Sequence, residues 1–349
     1  MLNRVLRWTE DGLEYEADPR QCERLLESLQ LRDHCNGAAP PGIKPRPAQI
    51  EAEEQLPPAE QTEFRALAAR ANYVSADRVD IQYSSKEACR FMSNPGTLAQ
   101  AALKRLGRYV LKHKRLVYKF PWQQVTHIDT YCDTDWAGCP RTRKSTSGGA
   151  IMIGKHTIRT YSSTQSTVSL SSGEAEYYGL VKGAAAGLGQ QAIMSDYGVD
   201  LPVRLWSDSS AALGIAKRSG LGKIRHLATH TLWLQEKVRN KCVEVRKIKG
   251  EENPADLFTK HLPSKEKVHS LVRLFGCDYR SGRAAAAPLL RPMDGSKSVN
   301  SIDSNLVLPH LHSPEEIERL FPVIEAPDEI LDQDFDQGVS QAELWVVRE

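Results

Sequence analysis

Between Gln124 and Lys260 the sequence alternates short β-type runs with helical patterns, and that alternation restricts the fold more than any other feature. Val125 to Tyr131 reads as a strand, Gly149 to Ile153 as a second and Thr157 to Tyr161 as a third, with Gly154-Lys155 as the hairpin turn between the last two. Ser171-Ser172-Gly173-Glu174 has the form of a capping box and opens a long helix through about Leu188. A strand over Val203 to Trp206, helices over Ser209 to Lys217 and His226 to Arg239, a strand over Val243 to Ile248 and a helix after Asn253-Pro254 follow. A βββαβα-like order of this kind is satisfied by an α/β layer with helices on the sheet faces.

Four carboxylates occupy telling places in that unit. Asp133 directly follows the first strand and Asp208 the Leu205-Trp206 strand, and sites in open α/β sheets gather at the carboxyl ends of strands. Glu176 lies in the first turns of the long helix, and Asp256 at the start of the last. Acids at close range repel unless a cation lies between them; oxygen ligands without thiolates suit Mg²⁺ or Mn²⁺, and two such ions activate a water and stabilise a leaving oxygen in phosphodiester hydrolysis. Singly, each acid also has a structural explanation: Asp208-Ser209-Ser210 is an ordinary helix start, Glu174 a capping residue, and Asp256 suits a positive helix N-terminus. Local pattern does not separate Asp133 from Asp135, and Asp133 is preferred as nearer the strand. His226 and His230, four apart on the expected helix, lack the glutamate of a zinc-protease motif and are assigned to packing or substrate contact. Cys132 and Cys139 lack zinc-ligand spacing, and seven scattered cysteines indicate a reducing compartment.

Upstream, strand-like Trp8, Leu13 and Tyr15 precede a helix carrying Cys22, Leu25, Leu26 and Leu29, and residues 37–47 hold four prolines and read as an extended connector. Helices are expected over Ala59 to Ala76 and from near Ser85. From Thr97 to Tyr118 an amphipathic helix is expected, with Leu98, Ala102, Leu106, Tyr109 and Val110 on one face. Lys104, Arg105 and Arg108 belong to a cationic row on it that either tracks a phosphate backbone or is a solvated face, the commoner case. The near-neutral total, 46 Lys+Arg against 44 Asp+Glu, hides a split: residues 283–349 hold 5 basic and 13 acidic side chains, leaving 41 and 31 before them. That acidic tail is expected to be disordered. No apolar run approaches a membrane span and no signal peptide opens the chain, so membrane insertion and secretion are not expected, and a cytoplasmic or nuclear location is.

Tyr131-Cys-Asp-Thr-Asp-Trp-Ala-Gly138, Thr142-Arg-Lys-Ser-Thr-Ser-Gly148, Ser171-Ser-Gly-Glu-Ala-Glu-Tyr177, Trp206-Ser-Asp-Ser-Ser-Ala-Ala212 and Asn253-Pro-Ala-Asp-Leu-Phe-Thr-Lys260 resemble, in order, the motifs of the ribonuclease H domain of copia-type retrotransposon Pol polyproteins. Leu6-Arg-Trp-Thr, Tyr15-Glu-Ala-Asp-Pro-Arg20, Ala69-Arg-Ala-Asn-Tyr73, Asp80-Ile-Gln-Tyr83 and Leu103-Lys-Arg-Leu-Gly-Arg-Tyr109 resemble the end of the reverse transcriptase and its connection. The resemblance implies a ribonuclease H-like fold, a central mixed sheet flanked by helices, over 123–280, a partial reverse-transcriptase region over 1–122, and the tail over 281–349. It further implies that Asp133, Glu176, Asp208 and Asp256 hold two Mg²⁺ or Mn²⁺ ions and cleave the RNA strand of an RNA–DNA hybrid. Arg141, Arg143 and Lys144 would hold phosphates, together with the row on the connection helix. No Tyr-x-Asp-Asp motif occurs, so polymerase activity is expected to need the upstream polyprotein. The mobile histidine that precedes the last acid in many cellular ribonucleases H is missing too, and His261 is poorly placed to replace it. The alternative is an inactive remnant that only binds nucleic acid.

Overall fold

The computed structural model describes residues 3–222, 224 and 226–289; the expectation of a disordered tail falls almost wholly outside them. Met1–Arg291 form one compact unit. The N-terminal hairpin β1 (Val5–Thr9) and β2 (Gly12–Glu16) leads into α1 (Pro19–Ser28), capped by Asp18, whose side chain accepts from the Arg20 amide. After the proline-rich connector come α2 (Pro47–Glu51), α3 (Pro58–Ser75), α4 (Gln82–Cys89) and α5 (Thr97–Lys112). Leu25, Phe64, Leu67, Leu103, Leu106 and Tyr109 form the core between these helices.

The expected helix from Thr97 to Tyr118 is thus two elements. It stops at Lys112, and Arg115–Pro121 is a strand, β3, antiparallel to β2. The cause is distant in sequence. Arg78, buried with Asp80 in a bidentate pair, donates to the His113 carbonyl at 2.9 Å and the Lys114 carbonyl at 3.4 Å, occupying acceptors at the helix end. Leu116, Val117 and Tyr118 then run into a buried ladder, where β-type residues belong. On α5 itself, Ala99 and Leu103 are buried in place of Leu98 and Ala102.

The larger sheet holds β4 (Ile128–Asp135), β5 (Thr146–Ile153), β6 (His156–Thr164), β7 (Val203–Ser207) and β8 (Val243–Lys247) in the order β6-β5-β4-β7-β8. β4 to β6 are an antiparallel meander, and β7 and β8 run parallel to β4. This mixed order, with helices packed on it, is the ribonuclease H-like architecture expected. All eight residues of β5 are buried: Ile151 and Ile153 face one core, Ala150 and Met152 another. Helices α6 (Ser172–Asp196), α7 (Ser210–Lys217) and α8 (Trp233–Arg239) accompany the sheet. His226 therefore precedes the helix on which it was expected, and His230 lies in a 3-10 turn, Thr229–Leu232. The chain after Asn253 is likewise a 3-10 turn, Pro254–Phe258, before α9 (Lys265–Leu274) and a strand unforeseen in the sequence, β9 (Cys277–Arg280), which pairs with β3. No helix among the described residues is long and apolar enough to cross a membrane.

Candidate metal centre

β4 extends to Asp135, so Asp133 lies inside the strand and not just after it, whereas Asp208 does directly follow β7. The parallel pairing of β4 and β7 brings these two strand ends side by side. Glu176 is brought to the same place by helix packing. On α6, Gly179, Gly183 and Gly187 recur one turn apart against β4; a Cβ would lie 2.5 Å from Thr134 Oγ1, 2.2 Å from Cys132 Sγ and 2.7 Å from Thr130 Oγ1. Only a helix lacking side chains there sits this close to the strand, and Glu176, one turn before Gly179, shares that face. As a result, one carboxylate oxygen from each of Asp133, Glu176 and Asp208 lies within 4.8 Å of the other two.

These acids are costly to ionise together. Burial, then the charges of Asp133 and Asp208, push the Glu176 carboxyl up to about 9. Burial and then Asp256 push Asp133 up to about 7, against the opposing Lys260 charge and a hydrogen bond from Thr259. Glu176 Oε2 is buried with no hydrogen-bond partner. A buried, unpaired carboxylate oxygen among two further acids fits a hard divalent cation, which would relieve both repulsion and desolvation.

Asp256 stands beside this group and not in it. Asn253, fully buried, donates to the Cys132 carbonyl at 2.9 Å and accepts from the Ala255 amide, which fixes the 3-10 turn against β4. Thr259 Oγ1 reaches Asp133 Oδ2, and Lys260 Nζ pairs with Asp256 Oδ1 at 2.5 Å. Thr259 and Lys260, three and four residues after the last acid, were not singled out in the sequence, where nothing local marks either as a partner of these carboxylates. Asp135 is not in the three-acid group; with Lys260 it lines a cavity of about 370 Å³ between α4, α5 and the loop after β4. Glu174 is the capping residue expected: its amide donates to Ser171 Oγ, and its carboxylate accepts from the Leu170 amide and contacts His226 Nε2 at 2.9 Å.

The expected phosphate-binding residues divide. Arg141 is ion-paired to Glu53 and stacked over Phe91, while Arg143, at φ 57°, is exposed in the same loop beside Lys144. On α5, Lys104 is exposed, but Arg105 donates to the Pro40 carbonyl at 3.1 Å and Arg108 to the Asn36 carbonyl at 2.7 Å. Those two arginines fasten the proline-rich connector to the helix.

Sheet order and acidic centre together define a ribonuclease H-like α/β protein. The chain is a relative of transposon Pol polyproteins. It is 26% identical over 259 residues to the retrovirus-related Pol polyprotein of transposon TNT 1-94 from Nicotiana tabacum, covering 71% of this chain and 19% of that one. It is 26% identical over 204 residues to the corresponding polyprotein of transposon RE1 from Arabidopsis thaliana, covering 58% and 14%. It is also 35% identical over 127 residues to the uncharacterised mitochondrial protein AtMg00810 of the same plant, covering 36% and 52%. The chain thus spans about half the length of one relative and under a fifth of the polyproteins. No family model matches. Among solved structures, LC11 ribonuclease H1 in complex with an RNA/DNA hybrid overlaps 38% of this chain and 93% of its own at 20% identity and a TM-score of 0.28. The N-terminal ribonuclease H domain of rv2228c from Mycobacterium tuberculosis overlaps 43% and 98% at 14% identity and a TM-score of 0.28. The fold assignment rests on the strand order itself.

Proposed function

We propose that the chain is a metal-dependent ribonuclease H, cleaving the RNA strand of RNA–DNA hybrids as part of a transposon Pol polyprotein. The convergence of Asp133, Glu176 and Asp208 carries this reading. A bound Mg²⁺ or Mn²⁺ ion supplies an activated water and charge stabilisation at the scissile phosphate. Asp133 is held in orientation by Thr259, and Asp208 by its position between β7 and the Ser209 cap of α7. Glu176 completes the set from α6, and Asp256 flanks it under the control of Lys260. The exposed Arg143 and Lys104, with the half-buried Lys144 beside Arg143, are the side chains offered to phosphates of the hybrid. We place the enzymatic unit at residues 123–280, the reverse-transcriptase remainder at 1–122 and a tail at 281–349.

The decisive experiment is incubation of an end-labelled hybrid with Mg²⁺. The wild-type chain is expected to cut the RNA strand only, and Asp208→Asn to lower the rate by at least about 100-fold, the usual scale for loss of charge stabilisation. Equal rates in the two proteins would refute the site, and binding without cleavage by the wild type would leave a nucleic-acid-binding remnant.

A further inference from the structure

We propose that Lys260 is an internal counter-cation that exchanges between Asp256 and Asp135, and that its position sets whether the acidic centre takes one divalent ion or two. The inference rests on the ribonuclease H reading above and concerns how that same centre is loaded.

The four acids near the centre are not equivalent. Three place ligand atoms within 4.8 Å of one another, which is a single ion's coordination sphere, whereas Asp256 is already neutralised by an ammonium 2.5 Å away. A second ion between Asp133 and Asp256 would meet that ammonium at short range, and like charges so placed exclude one another. Lys260 must therefore leave before Asp256 is available. The structure supplies a destination. Asp135 is two residues beyond Asp133 on β4, forms no salt bridge among the described residues, and its charge acts on Lys260 together with those of Asp133 and Asp256. Asp135 and Lys260 line the same cavity of about 370 Å³, room enough for a four-carbon stem to swing. Close by, Gly138 presents no side chain where a Cβ would collide with Asp135 Oδ2, which leaves the carboxylate tucked against the turn after β4. The lysine side chain is itself half-exposed, so its movement disrupts no core. Both stations are carboxyl groups, and Lys44, which lines the same cavity, also acts on Asp135.

Lys260 is in these terms a positioning residue, acting on the ion through Asp256. Titration of the full chain with Mn²⁺, followed by calorimetry and by the resonance signal of free Mn²⁺, reads ion stoichiometry without reference to catalysis. The wild type is expected to bind a first ion and, more weakly, a second. Lys260→Met, which keeps the stem and removes the charge, is expected to tighten the second step by about ten-fold or more, and Lys260→Gln to do the same. Asp135→Asn, which removes the alternative partner, is expected to weaken it. Asp256→Asn in the Lys260→Met background should abolish the second step and leave the first. A second step of equal affinity in the wild type and both lysine variants overturns the role of Lys260 while leaving the three-acid centre standing. Failure of the wild type to bind any ion overturns the ribonuclease H reading and this inference together.

Discussion

Arg105 and Arg108 lie in the same cationic row as Lys104, yet each donates its Nε–H to a backbone carbonyl, that of Pro40 in the connector and that of Asn36 just before it. A charged side chain hydrogen-bonded to fixed backbone contributes to stability, and one free in solvent is available to phosphate. The two kinds separate by experiment. Arg143→Ala and Lys104→Ala are expected to weaken hybrid binding and to lower the slope of log affinity against log salt by up to about 0.9 each, with thermal stability unchanged. Arg108→Ala is expected instead to lower stability by about 1 kcal/mol and leave the salt slope alone. Filter binding at several salt concentrations beside thermal melts decides between them, and a full phosphate-type slope change in Arg108→Ala would refute the distinction. Sequence could show the charges but not their partners, because Asn36 and Arg108 are 72 residues apart. That Asp133, Glu176 and Asp208 come together was legible through the motifs that carry them and, for Asp208, through its place at the end of β7, whereas Asp133 lies inside β4. The pairing of Asp256 with Lys260 was not, since a lysine four residues after an acid has no local pattern that distinguishes a functional contact from an ordinary helical pair.

At the scale of elements, the site depends on how closely α6 approaches β4. A methyl group at Gly183 would lie 2.2 Å from Cys132 Sγ and 3.2 Å from Leu205 Cδ1, both in the packed interior. At Gly189, on the same helix, nothing beyond the helix's own backbone lies within 4 Å of the added carbon. The same substitution should then have opposite signs at the two positions. Gly189→Ala gains helix propensity, about 1 kcal/mol, and should raise the denaturation midpoint. Gly183→Ala gains as much propensity but overpacks the interface at a cost of roughly 1–3 kcal/mol, and it lifts Glu176 away from Asp133. Chemical denaturation should place the two variants on either side of the wild type, with Mn²⁺ affinity reduced only in Gly183→Ala; a stabilised Gly183→Ala would mean that the glycine stripe does not set the approach. Elements with a local signal were readable from the sequence: the capping box announced the start of α6, although the helix runs on to Asp196 and not to Leu188, and β7 and the β5–β6 hairpin fell where expected to within a few residues. The end of α5 was not, because the amphipathic pattern runs on past Lys112 and only Arg78, 35 residues earlier, occupies the His113 carbonyl. β9 escaped for a similar reason: four residues, Cys277–Arg280, carry too little alternation to announce a strand, and its pairing partner β3 lies more than 150 residues away.

At the scale of the molecule, the two sheets do not divide the chain at one point. β9, from the end of the proposed enzymatic unit, completes the sheet built by β1, β2 and β3. One core joins Val79, Leu116 and Tyr118 to Ala150 and Met152 of β5 and to Phe258, Leu262 and Phe275. Phe258 belongs to the turn that carries Asp256, and the Phe258 carbonyl also accepts a hydrogen bond from Ser162 of β6. Cutting before residue 123 would strip Leu116 and Tyr118 from that core and leave β9 without its partner, exposing one apolar face and one unpaired edge. A fragment of residues 123–289 is therefore expected to melt at a lower temperature than residues 1–289 and to bind a hydrophobic dye. It should also hold Mn²⁺ more weakly, because the turn bearing Asp256, Thr259 and Lys260 rests on the lost side chains. Adding residues 1–122 in trans should recover part of both losses. Equal melting and ion affinity in the two proteins would show that the ribonuclease H-like sheet is self-sufficient and that the shared core only attaches the first 122 residues to it.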